Sequence, residues 1–214
     1  MPEDCSPDAV SGWMIENFKH DHGYREPFKV LISTILSQRT RDENTDEASR
    51  KLFSVFPTME SIAAARPEEL YELIKQSGMY RQKAERIVNC AEILLERFGG
   101  RVPDTIEELT SIPGVGRKTA NIVLNISFGK EALAVDTHVH RISNRLGWVK
   151  TKSPEETEFA LMKIISPHLW GPVNGSMVEF GRQICRPVGP RCEDCAISRC
   201  CDYYGRISKE DIRQ

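Results

Sequence analysis

The chain has 214 residues, 40% of them hydrophobic and 28% charged, with a net charge of −2. This is ordinary globular composition, a little long for one domain of about 100–200 residues, and it excludes disordered, collagenous and coiled-coil classes. No apolar run reaches the roughly 18 residues of a membrane span, and the acidic start Met1-Pro2-Glu3-Asp4-Cys5 is no secretory signal, so an intracellular, cytoplasmic protein is expected.

In chain order the punctuation is helical. Ser6-Pro7 reads as an N-cap with proline at the first helical position, opening a helix to about Phe18. Residues 28–37 are apolar on nearly every side, which predicts a buried helix. Pro67 opens and Gly78 closes a helix that presents Leu70, Leu73 and Ile74 on one face. Ala84, Ile87, Val88, Ala91, Leu94, Leu95 and Phe98 give the clearest helical period, ended by Gly99-Gly100. Residues 106–112 form a short helix, 113–116 must turn, and 117–124 restart a helix. Asp136 fits as N-cap of a helix carrying Val139, Ile142 and Leu146 and stopping at Gly147. Ser153-Pro154-Glu155-Glu156 reads as a capping box ahead of Phe159, Met162 and Ile165. No two-residue alternation is sustained, so the fold class is all-α.

Charge is unevenly spread along these elements. From Ser111 to Lys152, seven basic residues face only Glu131 and Asp136, a local +5 that either forms an anion-binding face or points in several directions. Within it, Gly114 and Gly116 flank Val115, a turn that permits positive φ and aims helix N–H groups outward. Such a turn holds a phosphate or makes a plain helix corner. Lys118 follows. An amine must be unprotonated to act as a nucleophile, and the helix dipole and the adjacent Arg117 both favour proton loss. A carboxylate at a helix N-terminus, as at Asp136, is held ionised and suits stabilisation of a developing positive charge.

Seven cysteines is an odd number, and with an intracellular chain no disulfide framework is expected; Cys5, Cys90 and Cys200 are scattered or redundant. The other four follow the spacing Cys185-x6-Cys192-x2-Cys195-x5-Cys201. All-thiolate ligation suits zinc or an iron–sulfur cluster, and spacing alone leaves both open.

The run LTSIPGVGRKTANIVL at 109–124, the Val135-Asp136-Thr137-His138 motif and the cysteine spacing together resemble the endonuclease III family of helix–hairpin–helix DNA glycosylases, over about Phe28 to Tyr203. The resemblance implies a helical barrel-like bundle at 20–130 containing the hairpin. It implies a second α domain of 1–19 with 131–214, in which Cys185, Cys192, Cys195 and Cys201 hold a [4Fe–4S] cluster. DNA is then expected across the cleft between them. Lys118 would be the nucleophile and Asp136 the catalytic carboxylate, while Gly114, Val115, Gly116 and Arg117 would hold a DNA phosphate. Arg186 and Arg191, between the first two ligands, would touch phosphates as well. His138 and His140 are read as structural, with no metal role.

Two turns resemble the family's wedge loops, which fill the gap left by a flipped nucleotide. Met79 would be the apolar wedge of Gly78-Met79-Tyr80. In Ser37-Gln38-Arg39-Thr40 the chain departs from the pattern: Gln38 sits one place early and Arg39 takes the usual glutamine position. An arginine there could favour an opposing guanine. The expected activity is bifunctional: removal of oxidised or saturated pyrimidines such as thymine glycol, through a lysine Schiff base, with strand cleavage 3′ to the abasic site by β-elimination. The expected partner is damaged or abasic double-stranded DNA, bound by a monomer. Monofunctional relatives commonly lack a lysine at the Lys118 position, and the adenine-specific branch keeps a glutamate where Ser33 stands. A non-catalytic iron–sulfur protein on the same fold is disfavoured by the presence of both Lys118 and Asp136.

Overall fold

The computed structural model describes residues 1–2, 4–20 and 23–211, with backbone alone at 42 and 208–211. Every regular element in them is helical. Helix α1 (Pro7–Asn17) opens the chain. Helices α2 (Pro27–Ser37), α3 (Asp42–Val55), α4 (Met59–Ala63), α5 (Pro67–Ile74), α6 (Tyr80–Phe98), α7 (Ile106–Thr110) and α8 (Arg117–Phe128) fall in one compact unit, His22–Lys130. A second unit joins Met1–Asp21 to Glu131–Gln214, so that α1 keeps company with α9 (Thr137–Leu146), α10 (Pro154–Leu161), α11 (Trp170–Gln183) and α12 (Asp202–Asp211). No helix among the described residues is long and apolar enough to cross a membrane.

In the unit His22–Lys130, the apolar run at 28–37 buries Phe28, Leu31, Ile32, Ile35 and Leu36. It lies against α8, where Ala120, Ile122, Val123 and Leu124 are buried. Large aliphatic side chains removed from water in this way stabilise by about 1.5–3 kcal/mol each, so the α2–α8 pair anchors the unit. Helix α8 runs past Leu124 to Phe128 and stops at left-handed Gly129. Helix α6 packs on α4 and α5. It ends at left-handed Gly99, with the Gly100 amide donating to Leu94 O at 3.0 Å, as the glycine pair predicts.

The other unit builds one core from both ends of the chain. The Ser6 hydroxyl accepts from the Ala9 amide at 3.3 Å and starts α1, whose Val10 and Met14 join Val139 and Ile142 of α9 and Val173, Met177 and Phe180 of α11. The Asp8 carboxylate accepts from the Ser166 amide at 2.8 Å and its hydroxyl at 2.5 Å, a polar latch beside that core. Helix α11 approaches α9 closely at Gly181, where an added Cβ would lie 2.5 Å from His138 Nδ1.

Three details differ from expectation. Phe159 does not face the core: it is 47% exposed, while Thr157, Glu158 and Leu161 are buried. The Thr157 hydroxyl lies 2.5 Å from Thr151 Oγ1 and 2.6 Å from His140 Nδ1, so a hydrogen-bonded network takes the place the apolar pattern assigns to a phenyl ring. The Ser153 hydroxyl accepts from the Glu156 amide at 3.2 Å, but the Glu156 carboxylate returns to the Lys152 amide at 2.8 Å rather than to Ser153. Finally, Cys5 and Cys200 form a disulfide across a sequence separation of 195. This bridge runs against the expectation from the cysteine count, because the folded chain brings together two residues far apart in sequence.

Candidate active site and cysteine centre

The hairpin at 113–116 places Lys118. Gly114 adopts φ +86°, a conformation that favours glycine, and a Cβ there would lie 3.2 Å from the Arg86 side chain, which would have to shift. Val115 is buried, and its amide donates to Ile112 O at 3.0 Å inside the turn. The amides of Gly114 and Gly116 make no hydrogen bond with the described residues. Gly116 is the N-cap of α8 and provides no side chain to cap it. Arg117 and Lys118, both half-buried, are the first two residues of that helix.

Asp136 lies in the other unit, as N-cap of α9. Its Oδ1 accepts from the His138 amide at 2.8 Å and the Val139 amide at 2.9 Å, which fixes the carboxylate's orientation. His138 Nδ1 lies 3.2 Å from Arg141 Nη2. The same helix grips the cysteine segment. Arg141 Nε and Nη2 donate to Cys185 O at 3.2 and 2.9 Å. Arg145 donates from Nη1 to Arg186 O at 2.6 Å and from Nη2 to Pro187 O at 2.9 Å.

Cys185, Cys192, Cys195 and Cys201 line one cavity together with Ile142, Leu146 and Phe180. No three His, Cys, Asp or Glu side chains among the described residues converge as ligands of a single metal ion. Burial pushes the Cys195 thiol up to about 11 and raises those of Cys192 and Cys201. In the loop between Cys185 and Cys192, Arg186 is exposed and donates from Nε to Arg182 O at 3.2 Å. Arg191 is paired with Asp194 at 2.7 Å, so Arg186 carries more of the loop's unbalanced charge.

The two wedge-like turns come together in the unit His22–Lys130. Arg39 (φ +55°) and Met79 (φ +48°) are the only non-glycine residues among those described that have positive φ. Each such residue costs about 1–3 kcal/mol unless its surroundings hold it. Met79 is 46% exposed. The Gln38 amide donates to Gly114 O at 3.3 Å and accepts from Arg86 Nη1 at 3.3 Å, tying the first turn to the hairpin. Beneath both turns lies Lys83, 2% exposed, which sequence reasoning overlooked. Its position one turn before Ile87 on the apolar face of α6 was the available signal.

Residues 32–167, which include Lys118, Asp136 and both turns, match the model of the HhH-GPD superfamily base excision DNA repair proteins. Endonuclease III of Thermotoga maritima (strain ATCC 43589 / DSM 3109 / JCM 10099 / NBRC 100826 / MSB8) is 63% identical, over 94% of each chain. The chain belongs to the endonuclease III family. Two solved endonuclease III–DNA structures share its fold. A non-covalent complex gives a TM-score of 0.87 at 36% identity, covering 94% of this chain and 95% of that one. A trapped covalent intermediate with an estranged adenine gives 0.86 at 36% identity, covering 92% and 95%. As an endonuclease III family member, the chain is a bifunctional DNA glycosylase/AP lyase that removes oxidised pyrimidines.

Proposed function

We propose that the chain excises thymine-glycol-type lesions and processes abasic sites in double-stranded DNA, with Lys118 as nucleophile and Asp136 as electrostatic partner. The placement of Lys118 carries the reading: it stands one residue into α8, directly behind a turn whose Gly114 and Gly116 amides have no acceptor among the described residues. Those amides and Arg117 suit a DNA phosphate, and buried Val115 braces the turn that presents them. Gln38, Arg39 and Met79 contact the duplex at the vacated position, and Arg186 and Arg191 contact phosphates nearby in the sequence of the cysteine loop.

The Lys118 amine attacks C1′ as the N-glycosidic bond breaks and its electron pair leaves with the base. Opening of the sugar gives an iminium at C1′. Loss of a C2′ proton then expels the 3′ oxygen, cutting the strand, and water releases the lysine. The Asp136 carboxylate, oriented by two backbone amides, stabilises the cationic sugar while the base departs.

The four cysteines fit a [4Fe–4S] cluster. They line one largely apolar cavity, and ligation by four thiolates without histidine or carboxylate suits such a cluster. Cys185, Cys192, Cys195 and Cys201 would hold the cluster, which would supply a fixed anchor for the loop between them. Arg141 and Arg145 hold that loop from the other side by its carbonyls.

Borohydride reduction on a duplex containing thymine glycol tests the nucleophile. Wild type should give a covalent adduct and Lys118→Gln none; an undiminished adduct in the variant removes Lys118 from the role.

A further inference from the structure

Lys83 is a buried cation outside the chemistry just described, and all of its acceptors belong to the two strained turns or their roots. Its Nζ donates to Leu36 O at 2.7 Å, at the end of α2 before Arg39. It donates to Thr40 Oγ1 at 2.6 Å, directly after Arg39. It also donates to Ser77 O at 2.7 Å, two residues before Met79. The Thr40 hydroxyl donates to Ser77 O as well, so the turns are joined both through the ammonium and directly. A cavity of about 300 Å³ opens above, lined by Gln38, Arg39, Met79, Gln82, Lys83 and Arg86.

The geometry points to Lys83 as a positioning residue: it clamps the Arg39 and Met79 turns into one rigid two-pronged wedge, and so sets how well the enzyme opens a paired duplex. This rests on the reading that those two side chains enter DNA. Three observations support the clamp. The ammonium has three donors and three acceptors, so it is saturated and fixed in place. The acceptors come from segments 37 or more residues apart in sequence, which no helical hydrogen bond could join. The two residues it brackets are the only described non-glycine residues in left-handed backbone, a conformation that persists only where surroundings over-determine it. A neutral side chain of similar length fills the volume but takes the ammonium from all three acceptors, leaving Ser77 O with the Thr40 hydroxyl alone.

The test compares a fully paired duplex bearing an abasic site with a bubble in which that site is already unpaired. Wedge insertion matters for the first and little for the second. For Lys83→Met, the ratio of paired to bubble cleavage should fall about tenfold or more. A 2-aminopurine opposite the site should lose its fluorescence rise on binding. Equal losses on both substrates, or an unchanged ratio, overturn the clamp. Should Lys83→Met fail to fold, Thr40→Val decides: it keeps the lysine and removes one acceptor and the direct link. It should lower the ratio a few fold, and an unchanged ratio there overturns the clamp equally. Met79→Ala separates the two ideas. If it leaves paired-duplex cleavage intact, the wedge reading itself falls; if it impairs cleavage while the Lys83 and Thr40 variants do not, only the clamp does.

Discussion

The two units solve one problem by different means. Each holds irregular backbone in place, which the proposed contacts with DNA would require. The unit His22–Lys130 does so without a covalent cross-link among its described residues: a dry α2–α8 pair anchors the helices, and one buried lysine with three acceptors secures the turns. The other unit gathers α1 from one end of the chain and α9–α12 from the other. It relies on a Cys5–Cys200 bridge, four further thiols around a cavity, and arginine bonds to loop carbonyls. A contiguous chain can afford to rely on packing. A core assembled from both termini closes a very long loop, and cross-links offset part of that entropy.

The largest expected effect breaks the comparison at its metal side. Replacing a ligand, as in Cys192→Ser, should abolish iron binding and lower duplex cleavage by about a hundredfold or more, since ligand and fold are coupled in such centres. Amide hydrogen exchange sharpens the point. Protection should be lost in α9 and α11 and kept in α2 and α8. Equal loss in both units would show that their stabilities are not separate. Stoichiometric zinc without iron in the purified protein would refute the cluster.

Next in size is the bridge. Cys5→Ser should lower stability by about 2–4 kcal/mol, the usual worth of a disulfide closing a long loop. Wild type under dithiothreitol should lose the same amount and the variant nothing further. Cys5→Ser also frees Cys200 beside Cys201, so cluster loading should suffer more in Cys5→Ser than in the Cys5→Ser, Cys200→Ser double variant. If both load alike, the bridge has no part in keeping Cys200 from competing.

These differences also separate what was legible in the sequence from what was not. Helix ends were legible because caps are local: Ser6, Asp136 and Ser153 all accept the amides their positions predict. Gly114 was legible because the glycine pair permits positive φ, which Gly114 adopts and Gly116, at φ −90°, does not. The face of α10 was not, because Thr157 is held by partners from His140 and Thr151, and polar networks leave no apolar period. Neither was the Cys5–Cys200 bridge, a pair made only by tertiary packing. The left-handed Arg39 and Met79 carry side chains that ordinarily avoid that region, so residue type pointed away from the observed backbone. What stabilises them is Lys83, and a lysine on an apolar helix face is visible only when the face is read for exceptions.

The smallest effect concerns that lysine's proton. Burial, with a lesser contribution from the neighbouring Arg86 charge, lowers the Lys83 pKa to about 8. In the unfolded chain it returns to about 10.4. Between these values the unfolded state holds the proton and the native state has released it, so this group's contribution to stability is lowest below about 8 and rises with pH through the window. The three acceptors oppose the release, because a neutral amine has one donor fewer, and they keep the rise small. Lys83→Met carries no such proton. The difference in unfolding midpoint between wild type and variant should therefore move in favour of wild type from pH 8 to pH 10. A difference that stays flat would mean the acceptors keep the ammonium charged throughout. The clamp would then hold with full strength at alkaline pH, and the paired-to-bubble cleavage ratio of wild type should be flat over the same range.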